Sequence, residues 1–188
     1  TARKISTVKI LYIHQYFTTP QRGGGTRSYE FARYFVEHGH QVVMITSHNG
    51  SQYYVENIAD IEVHWVPNYY DNSLGVAGRA ISFMLFVVKS IWFSLKIRNV
   101  DICYASSTPL TIGITALALK LIKKTKYIFE VRDLWPEFPI QMGVISNKYL
   151  KRLAYAFEKC IYKHAESIVA LSPGMRDGIE RYGLSKEV

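Results

Sequence analysis

The stretch from Val8 to Tyr29 constrains the fold most, because a short apolar run gives way there to a polar loop, three glycines and the start of a helix. The run over residues 8–13 is rich in β-branched residues and short enough to be a strand buried on both faces. Apolar residues then recur at helical spacing from about Thr26 to His38, and Gly39 ends that segment. The stretch therefore predicts a buried strand joined to an amphipathic helix through glycines.

Gly23, Gly24 and Gly25 stand together at this junction. Glycines let backbone N–H groups approach an anion, and a helix N-terminus adds roughly half a positive charge there. We interpret the glycines as a phosphate site, with a flexible turn as the alternative. A dinucleotide fingerprint fits poorly, because Ser28 replaces its third glycine, about ten residues separate the strand from the glycines, and the predicted strand 42–46 ends in Ser-His-Asn rather than an acidic residue.

Strand and helix patterns alternate about six times along the chain. The pattern predicts strands at 8–13, 42–46, 61–66, 101–105, 127–131 and 167–171, helices at about 26–38, 76–98, 106–123, 147–164 and 172–183, and a loop over 50–60. Such alternation is typical of an α/β domain with a Rossmann-like, doubly wound parallel sheet and right-handed crossovers. At 188 residues, the chain has the length of one domain with a full core.

The predicted helix over 76–98 has two distinct faces. One carries an apolar stripe, and the other places basic residues beside aromatic ones; the stripe consists of Ile81, Met84, Leu85, Val88, Trp92 and Leu95, and the second face of Arg79, Lys89, Lys96, Phe86 and Phe93. The second face fits either the outer side of a core helix or a helix lying in a membrane interface. The uninterrupted apolar run over 83–88 is far shorter than the roughly 20 residues that span a bilayer.

The predicted helix over 147–164 begins at Asn147, a residue that favours N-caps. Its periodicity predicts an inward face of Leu150, Leu153, Phe157 and Ile161, and an outward face of Lys148, Arg152, Tyr155, Lys159 and Lys163. The outward face is either simply solvated or a docking surface for anionic lipid headgroups.

Several candidate site residues follow strands, and ligands in open α/β sheets bind beyond the carboxyl ends of strands. Ser107 follows the fourth strand, where its hydroxyl could equally cap a helix. Arg132, Asp133 and Glu137 lie in the loop Arg-Asp-Leu-Trp-Pro-Glu after the fifth strand. Asp133 is a candidate general base or orienter of a sugar hydroxyl, and its structural alternative is an ion pair with Arg132 or a helix cap.

The net charge of +8 favours anionic partners, which include nucleic acid, phosphorylated ligands and anionic membrane surfaces. Cys103 and Cys160 are the only cysteines, and their spacing predicts no metal site. We expect a reduced, cytoplasmic setting, no signal peptide and no bound metal.

Three segments carry a resemblance to a known family. HQYFTTPQRGGGTRSYEFARYFVEHGHQVVMITS, EVRDLWPE and AESIVALSPGMRDGIERYG resemble the N-terminal, acceptor-side domain of GT-B glycosyltransferases of family 4. The similarity is greatest to bacterial transferases that build O-antigen or capsule units, including those that add N-acetylfucosamine. It covers nearly the whole chain, so residues 1–188 are expected to form one half of a GT-B fold whose C-terminal nucleotide-sugar-binding domain is not in this chain.

The resemblance implies roles for individual residues. Gly24 and Gly25 match the glycine pair whose amides approach the donor diphosphate, where stabilising the departing charge assists catalysis. Arg132 stands where many relatives place a histidine that contacts the donor sugar, with Asp133 beside it. The remaining expected site residues are cleft-side Glu137, Ser107 and Ser172, and His14 at the end of the first strand.

The resemblance also implies an activity. Relatives mostly retain the anomeric configuration, need no bound metal or cofactor, and use a nucleotide-sugar donor with an acceptor glycan on polyprenyl diphosphate at the inner-membrane surface. The fragment alone is expected to be inactive without its C-terminal domain. Two other classes stay open: a different Rossmann-like nucleotide-sugar enzyme, such as an epimerase or dehydrogenase, and a non-enzymatic anion-binding module. No nucleic-acid motif supports a nucleic-acid partner.

Overall fold

A computed structural model describes residues 7–137, 140 and 145–183. The described residues form the strands β1 Lys9–Ile13, β2 Gln41–His48, β3 Tyr54–Ile58, β4 Ile61–Pro67, β5 Ile102–Ser106, β6 Lys126–Val131 and β7 Ser167–Ala170. Their helices are α1 Arg27–Glu37, α2 Val76–Lys96, α3 Ile112–Lys123, α4 Lys148–His164 and α5 Pro173–Glu180.

The seven strands make one sheet in the order β3-β4-β2-β1-β5-β6-β7. All neighbouring pairs are parallel except β3 and β4, which pair antiparallel. Helix α1 packs on one face, where Tyr29 and Ala32 join the core. The other four described helices contribute to the core on the opposite face. The prediction of a Rossmann-like, doubly wound α/β sheet is confirmed.

Alternation along β1 explains how one strand serves both cores. Leu11 and Ile13 belong to the core beneath α2 to α5, whereas Ile10 and Tyr12 belong to the core beneath α1. Successive side chains of a strand point to opposite faces, so a central strand must be apolar at every position. The continuous apolar run in the sequence is a direct consequence of this two-sided burial.

The prediction of a loop over residues 50–60 is wrong, because β3 lies within it. β3 and β4 form a hairpin in which Ile58 pairs with Ile61 and only Ala59 and Asp60 connect the strands. Both connecting residues have positive φ, 49° and 61°, as a two-residue type I′ turn requires. Ala-Asp is not a usual sequence for that turn, so the hairpin gave no turn signal.

The apolar stripe of α2 does not face the core. Ile81, Met84, Leu85, Val88 and Trp92 are exposed, with Ile81, Val88 and Trp92 each above 60%. The core side carries instead three serines with Phe86 and Val87, the serines being Ser82, Ser90 and Ser94. The stripe's last residue, Leu95, is partly buried against the core.

The buried serines let α2 approach α3 closely. Ser90 donates a hydrogen bond to the Val87 carbonyl (3.0 Å) and its hydroxyl lies 2.8 Å from that of Thr115 on α3. Because the Ser90 and Thr115 hydroxyls are partners inside the helix pair, burying these two groups carries little cost. The apolar pattern in the sequence therefore predicted the wrong face of α2 to be buried.

For α4, the predicted inward face is wrong in the first turns of the helix. Leu150 and Leu153 are exposed, although Ile161 is buried and Phe157 packs against the core as expected. The buried face of α4 includes Ala154, Glu158 and Tyr162 as well. Asn147 does cap α4, because its side chain accepts hydrogen bonds from the amides of residues 149 (2.8 Å) and 150 (3.3 Å).

The start of α3 differs from the prediction. α3 begins at Ile112, so Pro109 precedes the helix and does not open it as predicted.

By length and composition, α2 is the one helix among the described residues that would be able to cross a membrane. In this fold, however, α2 packs on the sheet through Phe86, which belongs to the core, and Val87 is buried as well.

Candidate functional site

Three adjacent strands, β1, β5 and β6, end at the same edge of the sheet. The residues at their carboxyl ends and the first residues of α1 form a hydrogen-bonded set, called here the polar cluster: His14, Arg27, Ser28, Ser106, Ser107, Glu130 and Arg132. The cluster lies where ligands bind in open α/β sheets.

Glu130 supplies the buried negative charge of the polar cluster, with 1% of its side chain exposed. Its Oε1 accepts from Arg27 Nε and lies equally close, 2.8 Å, to Arg27 Nη2. Its Oε2 accepts a hydrogen bond from Ser106 Oγ at 2.5 Å. This carboxylate therefore fastens the start of α1 to the end of β6, and it neutralises Arg27.

His14 lies between α1 and the loop after β6, and it is only 1% exposed. Arg132 Nη1 donates to His14 Nε2 at 2.8 Å, and His14 Nδ1 lies 2.9 Å from Ser28 Oγ. A guanidinium can only donate, so Nε2 must accept and the ring proton resides on Nδ1, which donates to Ser28. Burial, with the nearby Arg132 charge, lowers the pKa of His14 from 6.5 to about 3. His14 is therefore a neutral acceptor at physiological pH.

Ser107 fixes the backbone of the loop that carries Arg132. Its Oγ accepts from the Arg132 backbone N–H at 2.9 Å, and the residue is 4% exposed. The neighbouring Thr108 hydroxyl donates to Asp133 Oδ2. Asp133 itself is exposed, and within the described part of the chain it forms no ion pair with Arg132.

The glycine loop leads directly into the polar cluster. Gly23 and Gly24 have φ values of +73° and +94°, which L side chains rarely adopt, and Thr18 donates a hydrogen bond to the Gly23 carbonyl at 2.7 Å. A Cβ placed on Gly25 would meet no atom within 4 Å. The side chain of Thr26, the N-cap residue, does not cap α1. The first backbone N–H groups of α1 therefore receive no hydrogen bond from the N-cap side chain, and they follow directly after the unobstructed position at Gly25.

Glu137 lies in a different environment from Arg132. It pairs with Arg181 just beyond α5 and accepts a hydrogen bond of 3.4 Å from Tyr155 on α4. Burial, the largest single influence, raises the pKa of Glu137, but the hydrogen bond and charge of Arg181 together with the other hydrogen bonds to this carboxylate lower the pKa overall. This ion pair ties the end of the loop to α4 and α5.

A buried carboxylate extends the same network. Glu158 on α4 is fully buried, accepts from Tyr162 at 2.8 Å, and also accepts from Tyr182. Burial raises the pKa of Glu158 above its usual value. The network holds α4 and α5 together at the sheet edge beside β7.

Ser172 is the N-cap residue of α5, where its hydroxyl accepts from the Met175 amide at 3.3 Å. It follows β7, two strands from β5, and it lines a surface depression of about 510 Å³ together with Arg176 and Asp177.

The structure thus places His14, Ser107 and Arg132 in one cluster beside Gly24 and Gly25, with Asp133 adjacent, and it places Glu137 and Ser172 nearer α5.

Sequence reasoning missed Arg27, Ser28, Ser106 and Glu130. One signal was available for Glu130, since it is the single carboxylate within the otherwise apolar end of β6. Arg27 follows the glycines and Thr26 directly, which is the position of a side chain at a helix N-terminus. For metal ions, the described ranges contain no group of three His, Cys, Asp or Glu side chains arranged as ligands.

The fold and this edge define a Rossmann-like domain whose polar cluster lies at the start of its first helix and at the carboxyl ends of its strands. The family described as glycosyl transferase 4-like domain matches residues 22–188, so the chain belongs to that family. No curated protein sequence matches the chain.

Solved structures of low sequence identity share the fold. Sucrose-phosphate synthase from Thermosynechococcus elongatus is 12% identical with a TM-score of 0.65, over 96% of this chain and 46% of that one. An α,α-trehalose 6-phosphate synthase from Burkholderia multivorans is 10% identical with a TM-score of 0.58, over 94% and 43%. A UDP-N-acetylglucosamine 2-epimerase is 13% identical with a TM-score of 0.50, over 94% and 45%. The chain therefore spans less than half the length of these proteins and has the fold of a GT-B glycosyltransferase domain.

Proposed function

We propose that this chain is the N-terminal, acceptor-side domain of a retaining glycosyltransferase. The enzyme moves a hexose or acetamidohexose from a nucleotide diphosphate donor to a glycan carried on polyprenyl diphosphate, in the synthesis of a bacterial surface polysaccharide such as an O-antigen. Membership of the glycosyl transferase 4-like family supports sugar transfer. An N-acetylfucosamine donor is the most specific form of the proposal.

The observation that carries the proposal is the open N-terminus of α1 beside Arg132. Free N–H groups at a helix start and a guanidinium favour a phosphate-bearing ligand. Gly25 leaves room for such a group to reach the backbone. In a transfer reaction, negative charge develops on the departing nucleotide diphosphate, and donors fixed in advance lower the barrier.

The remaining parts of the proposal concern the whole enzyme. A C-terminal domain would supply most of the nucleotide-sugar site, and the present fragment alone is expected to be inactive. We expect no bound metal or cofactor, and a cytoplasmic enzyme that associates peripherally with the inner membrane. Asp133 would contact the donor sugar or activate the acceptor hydroxyl.

The test uses the full-length enzyme that contains this chain. Gly25→Leu places a side chain in the open space before α1 and should abolish turnover of the nucleotide sugar while the protein stays folded. Gly75→Leu is the matched control, because Gly75 is the N-cap residue of α2 and also meets no atom within 4 Å. Turnover retained in Gly25→Leu would remove the phosphate role of this loop.

A membrane-bound acceptor is supported by the exposed stripe of α2. Ile81, Met84, Leu85, Val88 and Trp92 form a continuous apolar row along the outer side of the helix. α2 follows β4, so its first turns lie at the same sheet edge as the polar cluster. Lys96 lies over the Trp92 ring at 4.5 Å, which places a cation beside an interfacial aromatic residue.

Flotation with vesicles tests this surface. The full-length enzyme should bind vesicles of phosphatidylglycerol and phosphatidylcholine, and Val88→Glu should reduce binding roughly tenfold or more, because a charge would have to enter the interface. Val55→Glu on β3 is the control, since Val55 is also an exposed valine but lies on an edge strand of the sheet. Equal binding by both variants would exclude the α2 stripe, and a change in oligomeric state without a change in flotation would assign the stripe to a second copy of the chain.

A further inference from the structure

The two arginines of the polar cluster differ in how their charges are balanced. Arg27 pairs with the buried carboxylate of Glu130. Across the described residues, no carboxylate lies within ion-pair distance of Arg132, and its one side-chain hydrogen bond is to His14. Arg132 therefore keeps its positive charge at the sheet edge.

His14 is held rigidly at the position from which it accepts this bond. The residue follows β1, and its backbone N–H continues the strand pairing by donating to the Ile45 carbonyl at 3.1 Å. Its ring is fixed on the other side by Ser28 in the first turn of α1. An acceptor anchored by both a strand and a helix restricts the rotamers of a half-buried arginine.

We propose that His14 is a positioning residue that aims the Arg132 guanidinium at a phosphate group of the donor without neutralising its charge. A carboxylate in the same place would hold the arginine equally well but would cancel the charge that the anion needs. A neutral imidazole holds it by one hydrogen bond and leaves the charge for the ligand. This inference rests on the proposed function, and it assigns His14 no contact with the substrate because the residue is buried.

A double-mutant cycle in the full-length enzyme tests the inference. His14→Leu removes the acceptor and should lower kcat/KM for the nucleotide sugar roughly 10- to 100-fold, the range for a lost hydrogen bond to a charged group. His14→Gln supplies an amide oxygen in its place and should recover a substantial part of that loss. In the Arg132→Gln background, His14→Leu should have little further effect, because the two residues act as a unit.

A second readout does not depend on sugar transfer. Binding of inorganic diphosphate to the same variants, measured by calorimetry, should show the same coupling between residues 14 and 132. If no sugar nucleotide is turned over but this coupling is present, the proposed function fails and the inference stands. His64→Gln is the control, because His64 is also largely buried but bonds to Glu62 and Tyr53, away from the polar cluster.

Two results would overturn the inference. One is additive losses in the double mutant, since His14 would then act independently of Arg132. The other is a His14→Leu variant that is less stable to heat yet has unchanged kcat/KM and diphosphate affinity, because that is the behaviour of a residue needed only for folding.

Discussion

At the scale of single residues, His14 links the stability of the fold to pH. Its pKa is about 3 in the folded chain and 6.5 in the unfolded chain. Below pH 6.5, His14 takes up a proton in the unfolded chain but stays neutral in the folded chain. The free energy of unfolding therefore falls as the pH falls from 6.5 to 3. Between about pH 7 and pH 5 this residue should remove about 2 kcal/mol of stability.

Urea denaturation at the two pH values measures the effect. His14→Gln does not titrate, so its loss of stability between the two pH values should be smaller than that of the parent by the same amount. His14→Leu should show the same reduced dependence, although its absolute stability differs. Identical pH dependence in parent and variants would mean that His14 is not buried as a neutral ring.

Individual site residues were predictable only when they followed a strand or a glycine. Ser107 and Arg132 were found by that rule and His14, at the end of the first strand, by the family resemblance; the structure brings the three together through hydrogen bonds. Glu130 was missed because it lies within β6, where the sequence pattern reads as a buried strand and reveals no partner. Its partner Arg27 is 103 residues away in sequence, and only the sheet order brings the two together.

At the scale of elements, the two-residue turn between β3 and β4 destabilises the hairpin. Ala59 and Asp60 both occupy the left-handed region, which costs L residues such as alanine roughly 1 kcal/mol or more. The double substitution Ala59→Asn with Asp60→Gly should raise the free energy of unfolding by about 1 kcal/mol, because the sequence Asn-Gly favours this turn. Denaturant titration gives the comparison, and a loss of stability would show that the turn is not of type I′.

The contact between α3 and α4 depends on one glycine. A Cβ on Gly113 would lie 2.4 Å from Ile161 Cδ1, so Gly113→Ala should destabilise the chain by about 1–3 kcal/mol through overpacking. Adding Ile161→Ala should remove part of that penalty, giving a combined loss smaller than the sum of the single losses. The control is Gly78→Ala on α2, where the nearest atoms belong to the Leu74 side chain at 3.3 Å. That change should be nearly neutral or stabilising, since alanine favours a helix over glycine.

Element positions were predicted well, but the buried faces of α2 and α4 were not. Periodicity reports which residues share a face, and it does not report whether the core or another surface covers that face. On α2 the more apolar face is exposed, and the buried face carries three serines, of which Ser90 hydrogen-bonds to Thr115 on α3. A helix whose apolar stripe has a function outside the core will mislead any prediction that equates apolar with buried.

At the scale of the whole molecule, the proposed membrane association rests on two features: the net charge of +8 and the exposed apolar stripe of α2. They respond differently to salt, because about 0.5 M NaCl screens charges beyond a few ångströms but leaves apolar burial in place. Binding of the full-length enzyme to anionic vesicles should therefore weaken in about 0.5 M NaCl without being lost. The Val88→Glu variant should lose most of what remains, because the stripe supplies the salt-resistant part. Complete loss of parent binding at high salt, with no effect of Val88→Glu at low salt, would assign the attraction to charge alone and leave the α2 stripe without a membrane role.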